Sequence, residues 1–127
     1  MAKLYGAHTL VLNPGVSAQE FERFVREEWR PATLPGITTS ILKGDRGERA
    51  GAYLMLFEFE DAAVRDRYWP RPGGADASAE WQRVRHRAFG TPEQQQMMDR
   101  LNALTAGIDA EDGVPRGPYT DWLVIGA

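Results

Sequence analysis

Tyr53-Leu54-Met55-Leu56-Phe57-Glu58-Phe59 decides the fold. Side chains along a strand alternate between its two faces, so a strand with one wet face alternates apolar and polar residues. This one is apolar on both parities, and the sheet that holds it needs a covering layer on each side. Upstream, Ile37 to Lys43 reads as the second strand, joined to this third one by the glycine-punctuated polar loop from Gly44 to Gly51, and the pair reads as a long hairpin. Further upstream, Leu4 to Leu12 has strand composition and stops at Asn13-Pro14-Gly15. Ser17 followed by Glu20 is a capping box, and it opens a helix whose stripe is Phe21, Phe24, Val25 and Trp29. Pro31 and Leu34-Pro35-Gly36 end that helix.

Downstream of the hairpin, Asp61 caps a short helix from Ala62 to Trp69, broken at Pro70 and by Pro72-Gly73-Gly74. Trp81, Val84 and Ala88 mark an amphipathic helix within Ser78 to Phe89, which Gly90 interrupts. Thr91-Pro92 starts another, with the stripe Met97, Leu101, Leu104 and Ile108. A polar connection from Asp109 to Pro118 leads to a closing strand from Tyr119 to Ile125. The order is that of a split βαβ plan, an α+β ferredoxin-like βαββαβ sheet of four antiparallel strands with helices on one face.

Four strands at about 4.8 Å make a sheet roughly 19 Å wide, which two helices of about 10 Å just cover. The second face would carry apolar side chains from the first, third and fourth strands, a patch larger than a soluble monomer normally exposes. We expect a second copy to cover it, sheet against sheet, about a twofold axis. The rival is a monomer in which the helix from Pro92 to Ala106 crosses that face itself.

Length and composition bound the rest. The 127 residues fit a single domain spanning 1–127, and the 15 basic and 18 acidic residues, net charge −3, are mixed along the chain. That balance argues against nucleic acid and anionic membranes as partners. No apolar run approaches the ~20 residues of a membrane span, and the first residues lack a secretory signal, so the expected location is cytoplasmic. With no cysteine in the chain, disulfides, thiolate nucleophiles and thiolate metal sites are excluded. Only His8 and His86 supply imidazoles, and only Lys3 and Lys43 are lysines.

The chain resembles the dimeric α/β-barrel superfamily, the ferredoxin-like group that includes antibiotic-biosynthesis-type monooxygenases, stress-responsive barrel proteins and ether-degradation-associated proteins. The resemblance rests on element order over nearly the whole chain and on three local patterns. These are Leu12-Asn13-Pro14-Gly15-Val16-Ser17 before Phe21 and Phe24, Leu34-Pro35-Gly36-Ile37 before the second strand, and Phe57-Glu58-Phe59-Glu60-Asp61 at the third strand's end. It implies a homodimer with a cavity between each sheet and its helices or inside the shared barrel. It does not imply one reaction, since members include cofactor-free oxygenases, haem-handling enzymes, isomerases and proteins of no known activity.

His8 is the candidate catalytic residue. It lies mid-strand on the parity of Leu4, Leu10 and Leu12, and of Gly6, whose missing side chain leaves room for a ligand. A neutral imidazole in an apolar cavity could act as a base or orient a substrate oxygen. The resemblance adds that haem-degrading and quinone-forming monooxygenases place an asparagine seven residues before the glycine that ends the first strand; counting back from Gly15 reaches His8. The ordinary alternative is a half-buried histidine bonded to a neighbour.

Tyr68, Trp81 and Trp122 are candidate substrate-binding aromatics, core packing being the alternative, whereas Trp29 reads as core. Glu58, the fourth candidate substrate-binding residue, shares parity with Leu54 and Leu56; facing inward it would be a buried acid or base, and at the strand's end water or an arginine would reach it. His86 sits where haem-handling relatives carry an axial histidine, but those relatives place an aromatic four positions before the ligand. Trp81 precedes His86 by five, a rotation of about 100°, and Arg85 and Arg87 flank it. No cofactor and no metal are therefore assigned. Arg65, Arg67, Arg46 and Arg49 could bind a carboxylate but read as surface ion-pair partners. The sequence supports a homodimer that binds an apolar or aromatic small molecule, as a cofactor-independent monooxygenase or isomerase; the alternative is a binding or dimerisation module without turnover.

Overall fold

Four helices begin where a side chain accepts the N–H that the first helical turn leaves unpaired. In the computed structural model, which describes residues 3–72, 76–106 and 118–126, Ser17 accepts from Glu20 N at 3.1 Å, Asp61 from Val64 N at 3.1 Å, Ser78 from Trp81 N at 3.1 Å and Thr91 from Gln94 N at 3.2 Å. The helices so opened are α1 (Ala18–Glu27), α2 (Ala62–Tyr68), α3 (Ala79–Phe89) and α4 (Pro92–Leu104). The strands are β1 (Leu4–Leu10), β2 (Ile37–Lys43), β3 (Tyr53–Phe59) and β4 (Tyr119–Leu123). Chain order is β1, α1, β2, β3, α2, α3, α4, β4.

The strands form a single antiparallel sheet in the order β2-β3-β1-β4. The architecture is α+β and consistent with the ferredoxin-like plan. β2 and β3 form the expected hairpin, closed by Gly51 N to Gly44 O at 2.8 Å, with Gly51 at φ +86°, a left-handed backbone that favours glycine. The closing strand ends earlier than expected, since Ile125 lies beyond β4 and is 96 % exposed. Ile108, Gly73, Gly74 and all but the last residue of the connection from Asp109 to Pro118 lie outside the described residues. No helix among the described residues is long and apolar enough to cross a membrane.

Register divides the sheet into two unlike faces. Leu4, Gly6, His8 and Leu10 of β1 stand beside Phe59, Phe57, Met55 and Tyr53 of β3, and all of these except Phe57 are buried. Two clusters of helical side chains cover this face. Phe21 and Phe24 of α1 join Met97, Met98, Leu101 and Leu104 of α4 over Leu10, Tyr53 and Met55. Val64 and Tyr68 of α2 join Trp81 and Val84 of α3 over Leu4, Ile37 and Phe59.

The rival placement of α4 across the second face is therefore not what the chain adopts. Its apolar stripe packs with α1, and its end is stitched to the end of β1 by Asn13 N to Leu104 O at 2.8 Å and Ala106 N to Val11 O at 3.0 Å. On the second face stand Tyr5, Ala7, Thr9, Thr38, Ser40, Leu42, Leu54, Leu56, Glu58, Thr120 and Trp122, and not one of them is buried. Among the described residues, no helix covers it.

Candidate functional site

The two-residue period of β1 carries His8 to the helix-covered face, where it is fully buried. Met55 of β3 stands opposite it on one side and Tyr119 of β4 on the other. One row along, Gly6 lies between Phe57 and Asp121. On β1, His8 and Gly6 stand between the two helix-covered clusters, with Leu10 and Met55 in one and Leu4 and Phe59 in the other. Phe57 and, from α3, Phe89 pack against both. A polar imidazole thus sits where the core divides.

Tyr119 completes the rows. Its ring centroid is 6.4 Å from that of Phe57, and its hydroxyl lies over Gly6, where an added methyl group would overlap it. The room expected beside Gly6 for a ligand is taken by that hydroxyl. The same hydroxyl donates to Asp121 Oδ1 at 2.7 Å, and Arg65 Nη1 of α2 holds Asp121 Oδ2 at 3.0 Å. Arg65 Nε also donates to Asp66 Oδ1 at 3.0 Å, so the arginine is fixed from two sides. Burial of the Tyr119 phenol, then its bond to Asp121, push its pKa well above the ordinary tyrosine value, and Arg65 opposes this only in part. The phenol stays protonated at any physiological pH. Burial opposes charge on Arg65, but the bonds to Asp121 and Asp66 outweigh it and its pKa rises.

The other candidates do not gather round His8 as a set. Tyr68 is fully buried in α2, and its hydroxyl donates to the backbone oxygen of Pro35 at 3.0 Å. Its ring centroid is 5.6 Å from that of Trp81, and Trp69 lies 4.5 Å from Trp81, which makes an aromatic stack within the cluster under α2 and α3. Trp81 is 3 % exposed in this packing. Trp122 is on the open face, opposite Tyr5 and 61 % exposed, and so cannot share a cavity with Tyr68 and Trp81. Glu58 also faces the open side, because Leu54, Leu56 and Glu58 share the parity that the helices leave uncovered. Its carboxylate pairs with Lys3, whose pKa that bond raises. His86 is exposed in the last turn of α3, away from the buried stripe of Trp81 and Val84. Among the described residues no group of three or more His, Cys, Asp or Glu side chains gathers to hold a metal.

Away from these rows, an open hollow of about 510 Å³ lies between the segment after α1 and the α3–α4 corner. Pro31, Pro35, Val84, Arg87 and Gln94 are among its walls, and none of His8, Tyr68, Trp81, Trp122 or Glu58 is.

Sequence reasoning missed Tyr119 and Asp121. The signal was present in parity: Tyr119 and Asp121 fall on one face of β4 and Trp122 on the other, and a glycine on the neighbouring strand leaves space for a large ring one pair away. Bulk combined with a polar handle favours Trp122, and only register distinguishes the two. Compared with protein-family models, curated proteins and solved structures, the chain matches none.

Proposed function

We propose that this chain is a homodimer of the dimeric α/β-barrel kind that binds an apolar or aromatic small molecule between sheet and helices, beside His8. The reading is carried by one observation, a fully buried imidazole in mid-sheet at the division between two apolar clusters. Core histidines are uncommon because a polar ring loses hydration on burial, and titratable groups held in apolar surroundings concentrate at functional sites. His8 in its neutral form takes a proton from an acidic position of the bound molecule. Reprotonation elsewhere on the carbon skeleton makes an isomerase; in a cofactor-independent monooxygenase the anion adds dioxygen and takes up the proton to give a hydroperoxide, which loses water to leave a carbonyl, the substrate itself supplying the electrons that reduce the second oxygen atom. The open face, with Tyr5, Ala7, Leu42, Leu54, Leu56 and Trp122 on it, supports the second copy.

A thermal-shift screen of aromatic small molecules tests the site. A ligand present at 100 times its Kd stabilises a folded protein by about 2.7 kcal/mol. Hits are expected to lose their shift in His8→Ala while the variant keeps its circular dichroism; unchanged shifts would remove His8 from the site. The second reading, a dimerisation module without turnover, is favoured by Tyr119 filling the notch at Gly6. It predicts that no hit depends on His8.

A further inference from the structure

We propose that Tyr119 is a second ligand-contacting group of the His8 site, and that its oxygen accepts a hydrogen bond from a hydroxyl on the ligand, which makes the ligand class a hydroxylated aromatic. The inference rests on the reading of the His8 site given above and adds the chemistry of what binds there. Tyr119 faces the same side of the sheet as His8 and stands directly opposite it across the β1–β4 pair. Glycine at position 6 lets the phenol lie against the sheet. At 36 % exposed, Tyr119 also meets solvent at the β4 edge of the sheet.

Proton accounting then fixes the ligand's polarity. A tyrosine hydroxyl has one proton to donate, and an ionised carboxylate only accepts. The Asp121 carboxylate, paired through Oδ2 with Arg65 at 3.0 Å, accepts the Tyr119 hydrogen bond on Oδ1 at 2.7 Å. What remains on the Tyr119 oxygen is acceptor capacity. A ligand carbonyl or ether would set acceptor against acceptor, whereas a ligand O–H extends the chain from ligand to Tyr119 to Asp121, each bond polarising the next. Arg65 and Asp121 are positioning residues in this scheme, because they act through Tyr119.

The test compares 2-naphthol with 2-methoxynaphthalene, which keeps the ring and oxygen and lacks the donor. Affinities are read from the probes' own fluorescence in wild type, Tyr119→Phe, Gly6→Ala and His8→Ala. Wild type is expected to prefer 2-naphthol about fivefold to tenfold, the range of one net hydrogen bond. Tyr119→Phe keeps the ring and should bring the ratio to about one. Gly6→Ala, whose methyl evicts the hydroxyl without altering residue 119, should do the same. A wild-type ratio of one, or a preference that survives in both variants, would overturn the proposal while leaving the His8 site standing if His8→Ala still weakens both probes. Failure of both probes to bind wild type would overturn the His8 reading and this inference with it.

Discussion

The hydroxyl of Tyr53, at the start of β3, donates to the carboxylate of Glu22 on α1, which also holds Lys43 Nζ at 2.8 Å. Burial, then the bond to Glu22, push the Tyr53 pKa up to about 12. The unfolded chain releases this proton near pH 10 and the folded chain keeps it, so this contribution to stability is whole below pH 10 and is lost as pH rises towards 12. Urea unfolding between pH 9 and 12 should show wild type losing about 2–3 kcal/mol more than Tyr53→Phe. Tyr119 acts in the same direction, and the difference between the two proteins isolates Tyr53. Parallel curves would refute the coupling. Glu22 works at the other end: bonds from Lys43 and Tyr53 lower its pKa, so its contribution is present above the ordinary carboxylate range and fades as pH falls.

Asn13 binds the end of β1 to the end of α4. Its side-chain amide donates to Ala103 O at 2.9 Å and Thr105 O at 3.1 Å, two carbonyls at the helix end. Asn13→Ala should cost about 1–2 kcal/mol of stability. Amide exchange should speed up in the last turn of α4 before it does in α1. Uniform loosening of both helices would mean that the contact merely adds to global stability.

The hairpin, three of the four caps (Ser17, Asp61 and Thr91) and the inward face of β1 were legible in the sequence because each depends on residues close in the chain. Ser17, Asp61, Ser78 and Thr91 accept from N–H groups three residues on, and Leu4, Gly6, His8 and Leu10 follow the strand period. The inward position of His8 was legible for the same reason. Which of two apolar faces the helices choose is a different matter, because Leu54 and Leu56 are as apolar as Tyr53 and Met55. Glu58 and Trp122, candidates by residue type, stand on the open side. Contacts between distant segments, such as Arg65 to Asp121, have no local signature.

Tyr68 discriminates core from pocket. Its hydroxyl is committed to Pro35 O at 3.0 Å and its ring to the stack with Trp69 and Trp81. Tyr68→Phe should lower stability by about 1 kcal/mol by removing one hydrogen bond, with the affinity of any ligand found at His8 unchanged within twofold. A larger change in affinity than in stability would return Tyr68 to the ligand's surroundings.

The open face makes the last prediction. Leu56, at its centre, stands between Ala7 on β1 and Ser40 on β2, with Trp122 on β4 61 % exposed and Leu42 on β2 42 % exposed. Burying this surface against an identical one would remove apolar area from water at about 25 cal/mol per Å², with β-sheets packing about 10 Å apart. A twofold arrangement is self-complementary, so one substitution acts on both partners. Sedimentation at micromolar concentration should give wild type a mass twice the 14.2 kDa of the chain. Leu56→Asp should sediment as a monomer and remain folded, because within one chain that position is not buried and a carboxylate there still meets water. A wild-type mass of 14.2 kDa would show that the face is tolerated in water. A Leu56→Asp dimer as tight as wild type would place the contact between copies elsewhere on the molecule.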